Sequence, residues 1–290
     1  MKALSMGLWM LVDPRACINH RARHAVTTVA ALLLLLGSAC SPPEERELSK
    51  GFSYEKSKDF KNAVTSFDRT LVRAPQSGAA LVAAREGAKV ALLELKDFKK
   101  AAEFNRFIVL RAPQVDDRIA AQKQLAAIYF DQLADYPRAI EELNKLLYTV
   151  TTPDEKDKIR IRLAKAYFYT NNFFQAESEA IHFLQTEHDE DSSFQMMVLK
   201  GNIYVAKKDM QKAIETFRYI LDKYPEKAVK ENAAMTLAVA YEEMKDYKNA
   251  IDVLEKMKPY HSMPEYIDLR IKKLLIDQKN QPGAKGTRRK

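Results

Sequence analysis

Apolar residues recur along this chain in pairs of helix-length blocks, and each pair is joined by an acidic or amide residue followed by a large apolar one. The pieces SKDFKNA, LKDFKKA and MKDYKNA end at Ala63, Ala101 and Ala250, and ADYPRA, TNNFFQA and KKDMQKA end at Ala139, Ala176 and Ala213. These alanines lie 38, 38, 37, 37 and 37 residues apart. Self-similarity at a near-constant period marks a stack of identical supersecondary units. Four residues before each alanine stands Asp59, Asp97, Asp135, Asn172, Asp209 or Asp246, a side chain suited to capping the exposed N–H groups of a new helix. Each unit therefore reads as helix, turn, helix.

The spacing also predicts how the two helices of a unit meet. Nine residues before the column alanine lies Tyr54, Leu92, Phe130, Tyr167, Tyr204 or Tyr241, and twelve before lies Gly51, Lys89, Ala127, Ala164, Gly201 or Ala238. Large against small across a helix pair lets the axes approach, so these columns are expected to form the seam of each hairpin. After the sixth unit, Ser262 and Glu265 make a capping-box pattern that would open a last helix. Its stripe is Ile267, Ile271 and Leu274, with Asp268, Lys272, Lys273 and Asp277 on the other side, as a cap for the end of the stack requires. The final NQPGAKGTRRK has no periodicity and reads as a basic disordered tail over 279–290.

These columns resemble the tetratricopeptide repeat, which pairs Gly or Ala with Tyr in its first helix, and Ala with Phe and then Pro in its second. Gly51, Tyr54, Ala63, Phe67 and Pro75 match in the first unit, and Gly201, Tyr204, Ala213, Phe217 and Pro225 in the fifth. Lys89 and His188 depart from the pattern, and the units are longer than the usual 34 residues. The resemblance implies an all-α, right-handed solenoid of about six repeats plus a capping helix, over 44–278. It further implies that the first helix of each unit lines a concave, partner-binding groove. Positions 15, 11 and 8 residues before the column alanine share one helical face. Its apolar members are Leu48, Phe52, Val90, Leu93, Ile128, Ile161, Phe168, Val198, Val205, Met235 and Val239. Either they form an open groove for an amphipathic helix or extended apolar segment, or tighter stacking buries them as core.

Composition agrees with a folded helical protein: of 290 residues 47% are apolar and 30% charged, with only 8 glycines and 11 prolines. The formal charge of +8 is not a nucleic-acid footprint. Residues 1–39 carry a net +3 and residues 279–290 a net +5, which leaves the body neutral. No nucleic-acid partner is expected.

The leader changes the picture more. Ala25 to Leu36 is a twelve-residue apolar run behind Arg21, Arg23 and His24, followed by Gly37, Ser38 and Ala39. It has the order of an export signal and is too short to span a membrane. Translation from Met1 or from Met10 would both supply it. Leu36-Gly37-Ser38-Ala39-Cys40 resembles the bacterial lipobox, whose cysteine becomes the acylated first residue of the mature chain, although leucine stands one step further back than usual. Ordinary signal peptidase would cut the same bond. Once Cys17 leaves with the leader, Cys40 is the sole remaining thiol, which rules out a disulfide within the molecule and favours lipid attachment over a free thiol. Ser41 after the cysteine is similar to lipoproteins sorted to the outer membrane.

Candidate chemistry is sparse. There is no Gly-rich phosphate loop, CxxC or HExxH motif, and no catalytic residue or cofactor is assigned. The loop HFLQTEHDED offers His182, His188, Asp189 and Asp191 as weak metal ligands, without the spacing that fixes a site. The expectation is a non-enzymatic scaffold, lipid-anchored at Cys40 to the periplasmic face of the outer membrane. It would engage a protein or peptide of a membrane or envelope complex and resembles BamD-like lipoproteins in architecture. The alternatives are a soluble periplasmic adaptor, or a small-ligand or metal carrier using the His182 to His188 loop. Only Ser41, Pro42 and Pro43 would separate Cys40 from the first helix, a tether of about 10 to 14 Å.

Overall fold

The computed structural model describes residues 42–281. The leader, Cys40 and the tail beyond Gln281 lie outside the described residues. Within these the chain forms fourteen α-helices and no strand. No described helix is long and apolar enough to cross a membrane. Backbone contacts divide the chain into two compact units, one ending at Ala83 and one starting at Ala84.

The first unit holds α1 (Pro43–Lys56), α2 (Phe60–Arg73) and the opening turns of α3 (Gly78–Leu93). Pro43 suits the first helical position because it lacks an N–H that would go unbonded there. Glu44 and Glu45 in the first turn and Lys56 in the last complement the helix dipole. Gly51 is required by a close approach: a Cβ there would lie 2.4 Å from the Phe67 ring of α2. Ala63 and Phe67 are fully buried beneath it.

The second unit continues α3 and adds α4 (Phe98–Arg111), α5 (Val115–Ala127), α6 (Tyr136–Thr149), α7 (Pro153–Tyr169), α8 (Phe173–Phe183), α9 (Glu190–Ala206) and α10 (Met210–Lys223). It ends with α11 (Pro225–Lys230), α12 (Ala233–Glu243), α13 (Tyr247–Met257) and α14 (Pro264–Lys279). Successive helices pack on one another, α5 on α6, α7 on α8, α9 on α10 and α12 on α13, and Gly87 of α3 lies against Phe104 of α4. All six column alanines are fully buried.

The turns inside the hairpins share one construction. Lys58, Lys96, Ala134, Asn171, Lys208 and Lys245 each take a left-handed conformation, with φ between 48° and 63°, and the expected capping residue follows. Asp59, Asp97, Asp135, Asp209 and Asp246 accept a hydrogen bond from the backbone N–H three residues on, at 3.0 to 3.4 Å. Asn172 makes no such side-chain bond.

The second and third units depart from the expected register. In the other four hairpins the capping residue donates its N–H to the carbonyl five residues back, as from Asp209 to Tyr204. Asp97 reaches back six residues to Ala91, and Asp135 six to Tyr129. Leu95 to Val90 and Leu133 to Ile128 are five-residue bonds that absorb the extra residue of each 38-residue spacing, and Ile128–Gln132 is a full π-helical turn. The first helix upstream is thereby turned by one position. Gly87 of α3 lies against the Phe104 ring, where a Cβ would come within 2.6 Å, and Ala88 and Ala91 in α3, Ala126 in α5 and Tyr129 in the π-helical turn are all buried. Lys89, the expected seam residue, is exposed and pairs with Glu86 at 3.0 Å.

Two further expectations are corrected. Helix α14 begins at Pro264 without a capping box: Ser262 makes no cap, and the His261 ring accepts the N–H of Met263 at 3.1 Å. Pro264 suits the first helical position because its missing N–H would go unbonded there, so the helix starts at Pro264 with Met263 at its N-cap. Ile267 and Leu274 are fully buried as expected, but the outer side of α14 also exposes Leu269 and Ile276. The first helix of the sixth unit is broken in two. Asn232 adopts a left-handed φ of 59° between α11 and α12, which ends α11 after six residues.

Candidate protein-binding face

The register shift sorts the candidate groove residues. Val90 and Ile128 are buried, because in α3 and in the π-helical turn after α5 the positions chosen by spacing have rotated into the interior. Ile161 on α7 is also buried and belongs to the core with Ala176, Phe183 and Met196. These three pack the interior and do not face a ligand. Leu93 is 63% exposed. In the first unit Leu48 is half-buried and Phe52 exposed, its ring edge-on to Phe67 at 5.5 Å. Phe168, Val198, Val205, Met235 and Val239 are half-buried along α7, α9 and α12.

In α3 and α5 the rotated helices instead carry basic residues that spacing missed. The Arg85 guanidinium of α3 meets Asp117 of α5 at 2.5 Å, and Lys123 of α5 pairs with Glu155 of α7. Each of these two helices thus passes a cation to an acid on the next first helix. The signal was present in the extra residue of the spacing, which moves the face by one position.

On this side of the second unit a cleft of about 510 Å³ opens between α7, α9 and α11. Phe168, Phe194, Val198 and Leu199 give it an apolar lining, and Lys165, Asn202 and Lys230 a polar one. An aromatic cluster adjoins it: Phe168 contacts Tyr169 and Phe173 at 5.8 Å, and Tyr169 lies 4.8 Å from Tyr136. The break at Asn232 sets the far wall, and Lys227 of α11 is held there by Glu190 and Asp191 of α9, both at 2.6 Å. Those bonds, Asp191 first, raise the Lys227 ammonium above the usual lysine range. Lys165 behaves oppositely. Burial, with Arg162 adding to the effect and Glu231 opposing it, pushes its pKa down. Its Nζ donates to the amide oxygen of Gln195 at 3.3 Å.

The histidine and acid loop is spent on structure. His188 has Nδ1 2.6 Å from Asp157 and Nε2 2.6 Å from the Phe183 carbonyl, and its ring stacks on Phe183 at 3.8 Å. Asp189 caps α9 through the Ser192 N–H at 2.9 Å, Asp191 is paired to Lys227, and His182 is exposed. Among the described residues no group of three or more such side chains could hold a metal ion. The His182 to His188 loop is therefore a tie between α7, α8 and α9, because both ring nitrogens of His188 already have partners.

Repeated capped hairpins around small-residue seams, with a cleft on the first-helix side, define a helical-repeat protein. Residues 161–228 and 232–257 each match a family model described as tetratricopeptide repeat. Those two stretches are tetratricopeptide repeats, and the all-α fold is of the solenoid class they build, whose members generally act as non-enzymatic scaffolds for proteins or peptides.

Among solved structures, a tetratricopeptide repeat protein from Parabacteroides merdae is 14% identical with a TM-score of 0.49, over 81% of this chain and 88% of that one. The structure of Naa15/Naa10 bound to HypK-THB is 14% identical with a TM-score of 0.50, over 81% of this chain and 39% of that one. PilW, a type IV pilus biogenesis factor, is 12% identical with a TM-score of 0.49, over 79% of this chain and 99% of that one. No curated protein sequence matches the chain.

Proposed function

We propose that this protein is a non-enzymatic scaffold held at the periplasmic face of the outer membrane by a lipid on Cys40, where it engages a protein of a membrane or envelope assembly. The observation that carries the scaffold reading is the first-helix side of the second unit. There Phe168 and Val198 line an open cleft and, with Val205, Met235 and Val239, remain half-buried, although neighbouring core positions are closed. Partly exposed apolar residues in a concavity gain by covering with a partner. The anchor reading is supported by the leader and by the single cysteine at its end. Several acyl chains on one cysteine anchor stably, where one chain is marginal.

Replacement of Cys40 tests the anchor. The wild type is expected in the membrane fraction, with mass spectrometry finding diacylglycerol on the mature N-terminus, and Cys40→Ser in the soluble fraction. Equal partitioning of both, with an unmodified thiol, would leave a soluble periplasmic adaptor as the correct reading.

A further inference from the structure

A helix that closes the end of a stack of hairpins is expected to be polar on its outer side. Helix α14 departs from this. Ile267 and Leu274 join the core of the second unit, whereas Leu269 is 65%, Ile276 58% and Tyr266 47% exposed. Glu265, Leu269, Lys272 and Ile276 follow at i, i+4, i+7 and i+11, so they form one stripe along the outer side. That spacing is the one by which two helices pack along a shared seam.

The charges on this stripe are unspent. Asp268, off the stripe, is held by Lys258 at 2.6 Å, and Arg270 and Lys273 reach Glu242 of α12 at 2.8 and 3.8 Å. Glu265 and Lys272 are exposed, and for neither is an ion pair found among the described residues. The acid stands at the start of the helix and the ammonium two turns later, so the stripe is complementary to itself only when reversed. A second α14 lying antiparallel sets Glu265 beside Lys272 twice, whereas a parallel one sets Glu265 against Glu265 and Lys272 against Lys272.

We propose that α14 is a self-association surface that pairs antiparallel with the α14 of a second copy of this chain. The twofold axis passes near Leu269, where the two leucines meet. In that register Ile276 lies level with Met263 of the second copy, a residue that is 58% exposed. The pairing uses neither the first-helix cleft nor Cys40, so it stands apart from the proposed partner and anchor. A helix of 16 residues is about 24 Å long, so the shared area falls below that of a standard interface. The pair is therefore weak, dissociating on the order of tens of micromolar.

The test is sedimentation velocity of the exported chain carrying Cys40→Ser, so that neither a lipid nor that thiol joins two copies, over a micromolar concentration series. A monomer–dimer equilibrium is expected. Leu269→Glu should weaken it at least about tenfold, and Glu265→Lys and Lys272→Glu about tenfold each, since each reversal sets like charges together twice. The double reversal in one chain should restore the dimer, because both contacts then join opposite charges and the net charge is unchanged. All three positions are exposed, so unchanged helicity and thermal unfolding are expected of each variant. A wild type that stays monomeric, a dimer that survives Leu269→Glu, single reversals without effect, or a double reversal no better than either single one would overturn the proposal. None of these outcomes bears on the cleft or the anchor.

Discussion

At the scale of single residues, the chain spends its unusual side chains on turns, seams and one cleft. Burial holds the Lys165 ammonium below the ordinary lysine range. A lysine depressed in the folded state binds fewer protons there than when unfolded, so its contribution to stability rises with pH between the folded and unfolded pKa values. Below the folded value both states carry the charge, and the fold bears the cost of burying it. Heteronuclear NMR of Lys165 Nζ should find its titration below that of exposed lysines; an ordinary titration would contradict the desolvation argument. The turn caps make a second comparison. Asp209→Ala removes a bond to the Lys212 N–H and should cost about 1 kcal/mol, whereas Asn172→Ala removes no such bond and should cost less in denaturant titrations.

At the scale of elements, the hairpins were legible because their signals are local. An Asp four residues before an alanine caps a helix through its own backbone neighbours, and the Gly201 to Phe217 contact follows directly from the column spacing. The register of α3 and α5 was not read correctly, since a one-residue excess shows only as 38 in place of 37. Where it is absorbed depends on whether a π-type bond or a longer turn is cheaper. Placed at Val90 to Leu95 and Ile128 to Leu133, it moves every side chain upstream by about 100°. Thus Lys89 leaves the seam for solvent and Ile128 turns into the interior. Ile128→Ala is expected to cost about 2 to 4 kcal/mol, against less than about 0.5 kcal/mol for Leu93→Ala, because Ile128 is 2% exposed and Leu93 is 63% exposed. Similar losses for the two in thermal unfolding would restore the original register. The break at Asn232 was equally hidden, since Asn is only one of several residues that tolerate a left-handed turn.

At the scale of the whole molecule, the charge distribution and the repeats argue for a scaffold. The excess positive charge sits in the leader and tail, so the body has no broad attraction for phosphate. Recognition must come from shape and a few placed groups. Fold class was legible from six columns of residues, whereas the binding face was legible only where the spacing is 37. On α7, α9 and α12 the expected apolar positions outside Ile161 stay half-exposed, and on α3 and α5 basic residues replace them. Cys40 lies outside the described residues, and α1 starts at Pro43, so the proposed anchor and the first helix are separated by two residues. The central claim is that the first-helix side of the second unit is covered by a protein partner in the cell. It is tested most directly by placing a photo-crosslinking amino acid at Asn202, within the cleft, and at Tyr148, which is 91% exposed on α6. Discrete protein adducts from Asn202 and none from Tyr148 are predicted; adducts from Tyr148 alone, or from neither position, would contradict the account.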